Sequence, residues 1–139
     1  MITIQHRVGR LVETRFAAPL SDQEIASFAE GRGRTVQKVA TDRVVCIDAT
    51  RMSVLPPEQS ERLLAVLRSP SPGLLRSAFL LPAARGVVAL QLERIIRESR
   101  LPSARSFVDR GALEEWLGEV LTGEEAARLR VFLDERNGA

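Results

Sequence analysis

The chain has no tyrosine and only one tryptophan, one histidine, one cysteine and one lysine among its 139 residues. Each scarcity closes a class of function. The single cysteine, Cys46, excludes a disulfide framework and any multi-thiolate zinc centre. His6 is the only imidazole and has no ligand spacing to Cys46, so no metal donor set is expected. An acyl-transfer triad would have to use His6, and no serine sits in a nucleophile elbow. The one lysine, Lys38, lies in no Gly-Lys-Ser or Gly-Lys-Thr, and Gly31-Arg32-Gly33 lacks the third glycine of a dinucleotide loop. No apolar run approaches the ~20 residues of a membrane helix. The start, Met1-Ile2-Thr3-Ile4-Gln5-His6-Arg7, lacks the pattern of a signal peptide. The expectation is a soluble cytoplasmic domain of bacterial style, non-enzymatic and without a cofactor.

What is abundant is arginine: 19 of them, against 18 acidic residues. The sequence pI near 9.4 invites a nucleic-acid reading. The distribution argues otherwise, because residues 51–110 carry a net +5 and residues 111–139 a net −4. Phosphate-backbone binding draws on clustered cations, and here they are dispersed with few aromatic partners for bases. No nucleic acid is expected. Basic middle and acidic end instead predict an electrostatic match, with the last two helices lying near the arginine-bearing helices or meeting them in a second copy.

The apolar periodicity predicts an α/β domain. Ile2 to Gln5 and Val8 to Phe16 read as a hairpin broken at His6-Arg7. Ser21-Asp22-Gln23-Glu24 is a capping box opening a helix that Gly31 and Gly33 would close. Val44-Val45-Cys46-Ile47 is a strand buried on both faces, with Asp48 at its end. Pro56 and Pro57 open a helix with Leu63, Leu64 and Leu67 inward. Ser77 to Leu81 forms a further strand. Residues 83–99 form a helix with Ala84, Val87, Val88, Gln91, Leu92, Ile95 and Ile96 on one stripe. Ala104 to Val108 is a short strand, and Asp109 caps a helix carrying Leu113, Trp116 and Leu117. Thr122-Gly123-Glu124-Glu125 is a second capping box, opening a last helix with Ala126, Leu129, Phe132 and Leu133 inward. The order ββαβαβαβα plus one helix predicts a mixed, mostly parallel sheet of four to five strands flanked by helices.

Asp48 is the carboxylate of most interest, because open α/β sheets place ligands at the carboxyl ends of their strands. It reads equally as a turn aspartate accepting nearby amides. Trp116, on a regular apolar stripe, reads as core. An enzyme using Asp48 with Arg51 or Arg85 on a phosphorylated substrate lacks a complete set of acid, base and nucleophile.

The element order, the Val44-Val45-Cys46-Ile47-Asp48 strand and the closing Phe107 to Trp116-Leu117 segment together resemble a STAS-like domain, the family of anti-sigma factor antagonists and sulfate-transporter tails. The resemblance covers residues 2–121, with 122–139 a helical extension packed on the domain or at a subunit interface. In the phosphorylated antagonists the loop after the central strand carries an Asp-Ser-Ser-Gly-like motif. Here Pro56 and Pro57 stand where its aspartate and phosphoacceptor serine would be, and neither Thr50 nor Ser53 is in register. The resemblance implies a fold and a habit of working through protein contacts, with the kinase-partner switch lost.

The leading expectation is therefore a non-catalytic regulatory module that binds a protein partner or itself, as a homodimer. Asp48, Thr50, Arg51, Met52 and Ser53 are its candidate partner-binding residues. The alternative is a carrier of a small ligand, lipid or nucleotide, in a pocket between the sheet and helix 83–99, lined by residues such as Phe79, Val88 and Leu92.

Overall fold

A computed structural model describes residues 1–83, 86–101 and 103–138, with side chains as far as residue 135. The chain is α/β. Strands β1 (Ile2–Val8) and β2 (Leu11–Ala17) form a hairpin, and helix α1 (Asp22–Lys38) leads to β3 (Arg43–Arg51). Helix α2 (Pro57–Arg68), β4 (Leu74–Leu80), α3 (Gly86–Ser99) and β5 (Ala104–Phe107) follow, then α4 (Arg110–Gly118) and α5 (Gly123–Gly138). The five strands lie in sequence order, β1-β2-β3-β4-β5. Only the β1–β2 pair is antiparallel.

That order decides which face each helix covers. Every crossover from β2 to β5 moves one strand in the same direction. Right-handed connections then put all three helices on the same side of the sheet. They do pack there, as Ile25 and Phe28 of α1, Leu63, Leu64 and Leu67 of α2, and Val88, Leu92 and Ile95 of α3 meet Phe16, Ile47, Ala49 and Phe79 in one apolar core. The opposite face presents Leu11, Val44, Cys46, Ala78 and Leu80, and only α4 and α5 remain to cover it. Leu113 and Leu117 of α4 and Leu129, Phe132 and Leu133 of α5 do so, each at most 2% exposed. The helix at 122–139 thus forms part of one wall of the domain.

Local signals place several boundaries where the sequence puts them. Ser21 and Glu24 form the expected capping box, with Glu24 N–H on Ser21 Oγ at 3.1 Å and Ser21 N–H on Glu24 Oε1 at 3.0 Å. Thr122 and Glu125 repeat it at 3.2 and 2.8 Å. Asp109 accepts the amides of Gly111 and Ala112, and Pro57 starts α2.

Four expectations are corrected. β1 runs unbroken through His6 and Arg7, and the chain turns at Gly9-Arg10 instead. Gly9 has φ +54°, and a Cβ there would come 2.2 Å from Glu125 Oε2, so both backbone and neighbour demand glycine. Gly31 and Gly33 do not close α1, which continues to Lys38. Gly31 is buried against β1, where a Cβ would lie 2.8 Å from Ile4 Cδ1. Close packing outweighs the ~1 kcal/mol cost of a mid-helix glycine. β3 extends past Asp48 to Arg51, which puts the aspartate inside the sheet between Arg15 and Leu80. Val87 is 69% exposed, so the inward stripe of α3 runs through Val88, Leu92 and Ile95, with Ile96 at its margin. Ala84 and Arg85 lie outside the described residues.

The charge match also differs in its partners. The acidic end pairs with arginines of the strands and of its own helices: Glu125 with Arg10, Glu135 with Arg15 and Arg128, Glu119 with Arg76, and Glu114 and Asp134 with Arg110. Helices α2 and α3 lie across the sheet from it.

Candidate functional site

The carboxyl ends of β2, β3 and β4 and the loops that follow them bring the candidate residues to one rim, but facing different ways. Alternation along β3 turns Asp48 and Thr50 toward the α5 side. Asp48 is 3% exposed. Its Oδ1 accepts the Thr50 N–H at 3.0 Å and the Thr50 hydroxyl at 2.6 Å, a local aspartate turn. Its Oδ2 is 3.7 Å from Arg15 Nε. Met52 is fully buried in the three-helix core and anchors the loop that follows. Ser53 is half-buried, Arg51 is exposed and Val54 is 53% exposed. Of the candidates, Asp48 and Met52 are thus buried, Thr50 and Ser53 are half-buried, and Arg51, with its neighbour Val54, is exposed.

Two glutamines tie down this loop and the neighbouring β2–α1 connection. Gln91 of α3 accepts the Leu55 N–H at 2.8 Å and donates to the Leu55 carbonyl at 2.9 Å. Gln59 of α2 donates to the Leu20 carbonyl at 2.7 Å. A glutamine inside an apolar helical stripe was the available signal, since such a group needs a polar partner. The loop borders a recess of about 230 Å³ lined by Pro19, Leu20, Met52, Val54 and Pro56. Val87 lies one helical turn before Gln91, and Leu90 lies one turn beyond Val87. Val54, Val87 and Leu90 are thus large apolar side chains left in water, at 53, 69 and 67% exposure.

Behind the rim, the α5 face of the sheet contains charges that sequence reading did not find. Glu13 is 2% exposed and is held by Arg128 through two bonds of 2.7 Å, Nε to Oε2 and Nη2 to Oε1. Arg15 lies with its guanidinium carbon 4.3 Å from the Phe132 ring centroid and donates to the Phe132 carbonyl. Its Nε is the one buried polar side-chain atom, among the described residues, without a hydrogen-bond partner. Burial pushes the Cys46 thiol far above its ordinary value, and the Asp48 and Glu13 charges add to the shift. It is an inert thiol. For Glu125, burial disfavours ionisation, but the Arg10 guanidinium and the amides of Thr122 and Arg10 outweigh it and bring the carboxyl down to about 2. Trp116 is half-buried, with Arg76 and Arg105 at 4.7 and 4.9 Å from its ring. These groups are committed to one another and to the packing of α4 and α5.

On the three-helix side, Phe79, Val88 and Leu92 are 3 to 5% exposed and interlock in the core. A void on that side lies under α1 and α2, bordered by Thr14, Thr35, Arg43 and Ser77, and measures about 30 Å³. That is room for about one water molecule. No group of three metal-ligating side chains occurs among the described residues. No helix among them is long and apolar enough to cross a membrane. No family model matches the chain, and no curated protein matches it.

Proposed function

We propose that the protein is a non-catalytic, STAS-like regulatory module of the bacterial cytoplasm that works by docking a protein partner on the rim formed by the β3–α2 loop and the start of α3. The observation that carries the reading is the exposure of Val54, on a loop that Gln91 and Met52 hold in place, and of Val87 and Leu90 on the helix that carries Gln91. A pre-formed apolar surface loses little conformational entropy on binding. Arg51 and Ser53 supply a polar rim, as interfaces commonly have. The element order adds its support through the resemblance already described. Asp48 contributes indirectly, by fixing Thr50 and the exit of the chain from β3.

The test is a photo-crosslinking residue at position 87 in the native cell, followed by reconstitution of the captured protein with the purified chain. Val87→Asp with Leu90→Asp is expected to weaken that reconstituted complex at least about tenfold, while leaving the circular dichroism spectrum unchanged. Unchanged affinity for every captured protein, or full complementation of a deletion by the double variant, removes this surface from the function.

A further inference from the structure

Of the two edges of the sheet, β1 and β5, the β1 edge carries a second surface, independent of the rim. Met1 and Ala17 exchange both backbone hydrogen bonds, at 2.6 and 2.8 Å. In an antiparallel pair such narrow pairs alternate with wide ones. By the register of the hairpin, Thr3 and Gln5 also point their backbone groups at β2. The N–H and C=O groups of Ile2, Ile4 and His6 therefore point outward, and β1 is the last strand on that side of the sheet.

Proteins usually protect such an edge with charges or bulges. β1 has both, Arg7 and an irregularity between His6 and Val8, but only in its second half. The half from Ile2 to Gln5 has neither. Alongside it, between β1 and α1, runs a groove of about 350 Å³ floored by Ile2, Ile4, Phe28 and Gly31. The absence of a side chain at Gly31 lets Ile4 settle against the helix. A strand added at this edge would direct alternate side chains into that groove.

The groove is also charged oppositely at its two ends. Glu24 stands at the start of α1, with Oε1 on the Ser21 amide and Oε2 3.0 Å from the Met1 amine. Arg34 stands nearly three turns later, exposed. Two antiparallel copies would bring each Glu24 toward the other copy's Arg34, a self-complementary pattern suited to a two-fold interface.

We propose that a second copy of this chain occupies the edge, with β1 paired antiparallel to β1 about a two-fold axis at Thr3, giving a continuous ten-stranded sheet. Ile2 of one copy then exchanges both backbone bonds with Ile4 of the other. The four isoleucines line one apolar seam under the two α1 helices. Thr3 faces its own counterpart across the axis, on the side of the sheet away from α1. The interface leaves the rim at Val54 and Val87 open, so it does not depend on the proposed function.

Thr3→Cys provides the direct test, because facing residues of a wide antiparallel pair have Cα atoms about 4.5 Å apart, close enough for a disulfide. Cys46 is buried and does not compete. In a glutathione buffer, T3C is expected to form disulfide-linked dimers at least about tenfold faster than the surface control Gln37→Cys. Sedimentation equilibrium should show a dimer whose dissociation constant rises about tenfold in Arg34→Glu, which sets like charges against each other. Arg34 is exposed, so that variant folds whether or not the dimer forms. A monomer at the highest soluble concentration, T3C cross-linking no faster than Q37C, or a dimer indifferent to Arg34→Glu each overturns the proposal. A monomer that binds a foreign extended peptide in the groove also overturns it.

Discussion

The two faces of the sheet are built on different principles. The face under α1, α2 and α3 is mostly apolar, with Arg32 and the buried Arg43 at its edge bonded to carbonyls and a serine hydroxyl. Three successive crossovers contribute to it, so each helix is tied to the sheet by the strands on either side of it. The face under α4 and α5 is covered by helices that follow the last strand and have no strand beyond them. There, besides Leu113, Leu129 and Phe132, the fold places Glu13, Arg15 and Asp48 on the strands, with Arg128 and Glu125 reaching in from α5. Glu13 and Arg128 are separated by 115 positions in sequence, as are Arg10 and Glu125. The comparison teaches that apolar burial with arginine–carbonyl bonds serves where topology already fixes a helix, whereas buried arginine–carboxylate pairs fix the register of helices held at one end only. Such pairs give specificity more dependably than stability, because their desolvation offsets much of their attraction.

The sharpest way to break the ionic face is Arg128→Ala. It leaves the buried Glu13 carboxylate without its hydrogen-bonded partner and with only the more distant Arg7, 3.9 Å away, and chemical denaturation should show a loss of about 3 kcal/mol. The double variant Glu13→Gln with Arg128→Met should recover a large part of that loss. On the apolar face, Leu63→Ala is expected to cost about 3 kcal/mol by transfer and cavity formation. Its effect should be the same at low and high salt. Acid separates the faces a third way. Glu125 has a folded pKa lowered to about 2 from an ordinary 4.5. Its contribution is therefore complete above pH 4.5 and is lost as pH falls from there toward 2. Stability measured across that window should drop by about 2 kcal/mol more in the wild type than in Glu125→Gln, which no longer titrates. An equal decline in both proteins would place the acid sensitivity elsewhere.

What could be read from sequence follows the range of the interaction. The capping boxes at Ser21 and Thr122, the Asp109 cap and Pro57 are local, each decided within four residues, and the structure contains all of them. The α/β order follows from apolar periodicity, which is also local. Gly31 was misread because its reason is Ile4, on a strand 27 positions earlier that only the folded chain brings alongside. Val87 and Val88 are adjacent, and periodicity alone could not decide which one faces water when both suit the stripe. Of the candidate residues, Asp48 and Met52 are buried, because β3 runs on past Asp48 and the chain then turns Met52 into the core. The exposure of Val54 follows from that turn, which no local pattern announces. The ionic pairs of the second face were invisible because net charge by segment records amounts and not partners.

The strand order has a consequence for synthesis. A chain emerging from the ribosome can close its three-helix side once β5 has appeared, because every element of that side precedes residue 108. Leu11, Val44, Cys46, Ala78 and Leu80 must then wait for α4 and α5, which follow β5 in the chain. At ~5–20 residues per second that interval lasts several seconds, in which a half-dressed sheet shows apolar surface to everything around it. A ribosome stalled before α4 has emerged would hold the protein in its stickiest form, and α4 with α5 act as the stopper on a vessel already full.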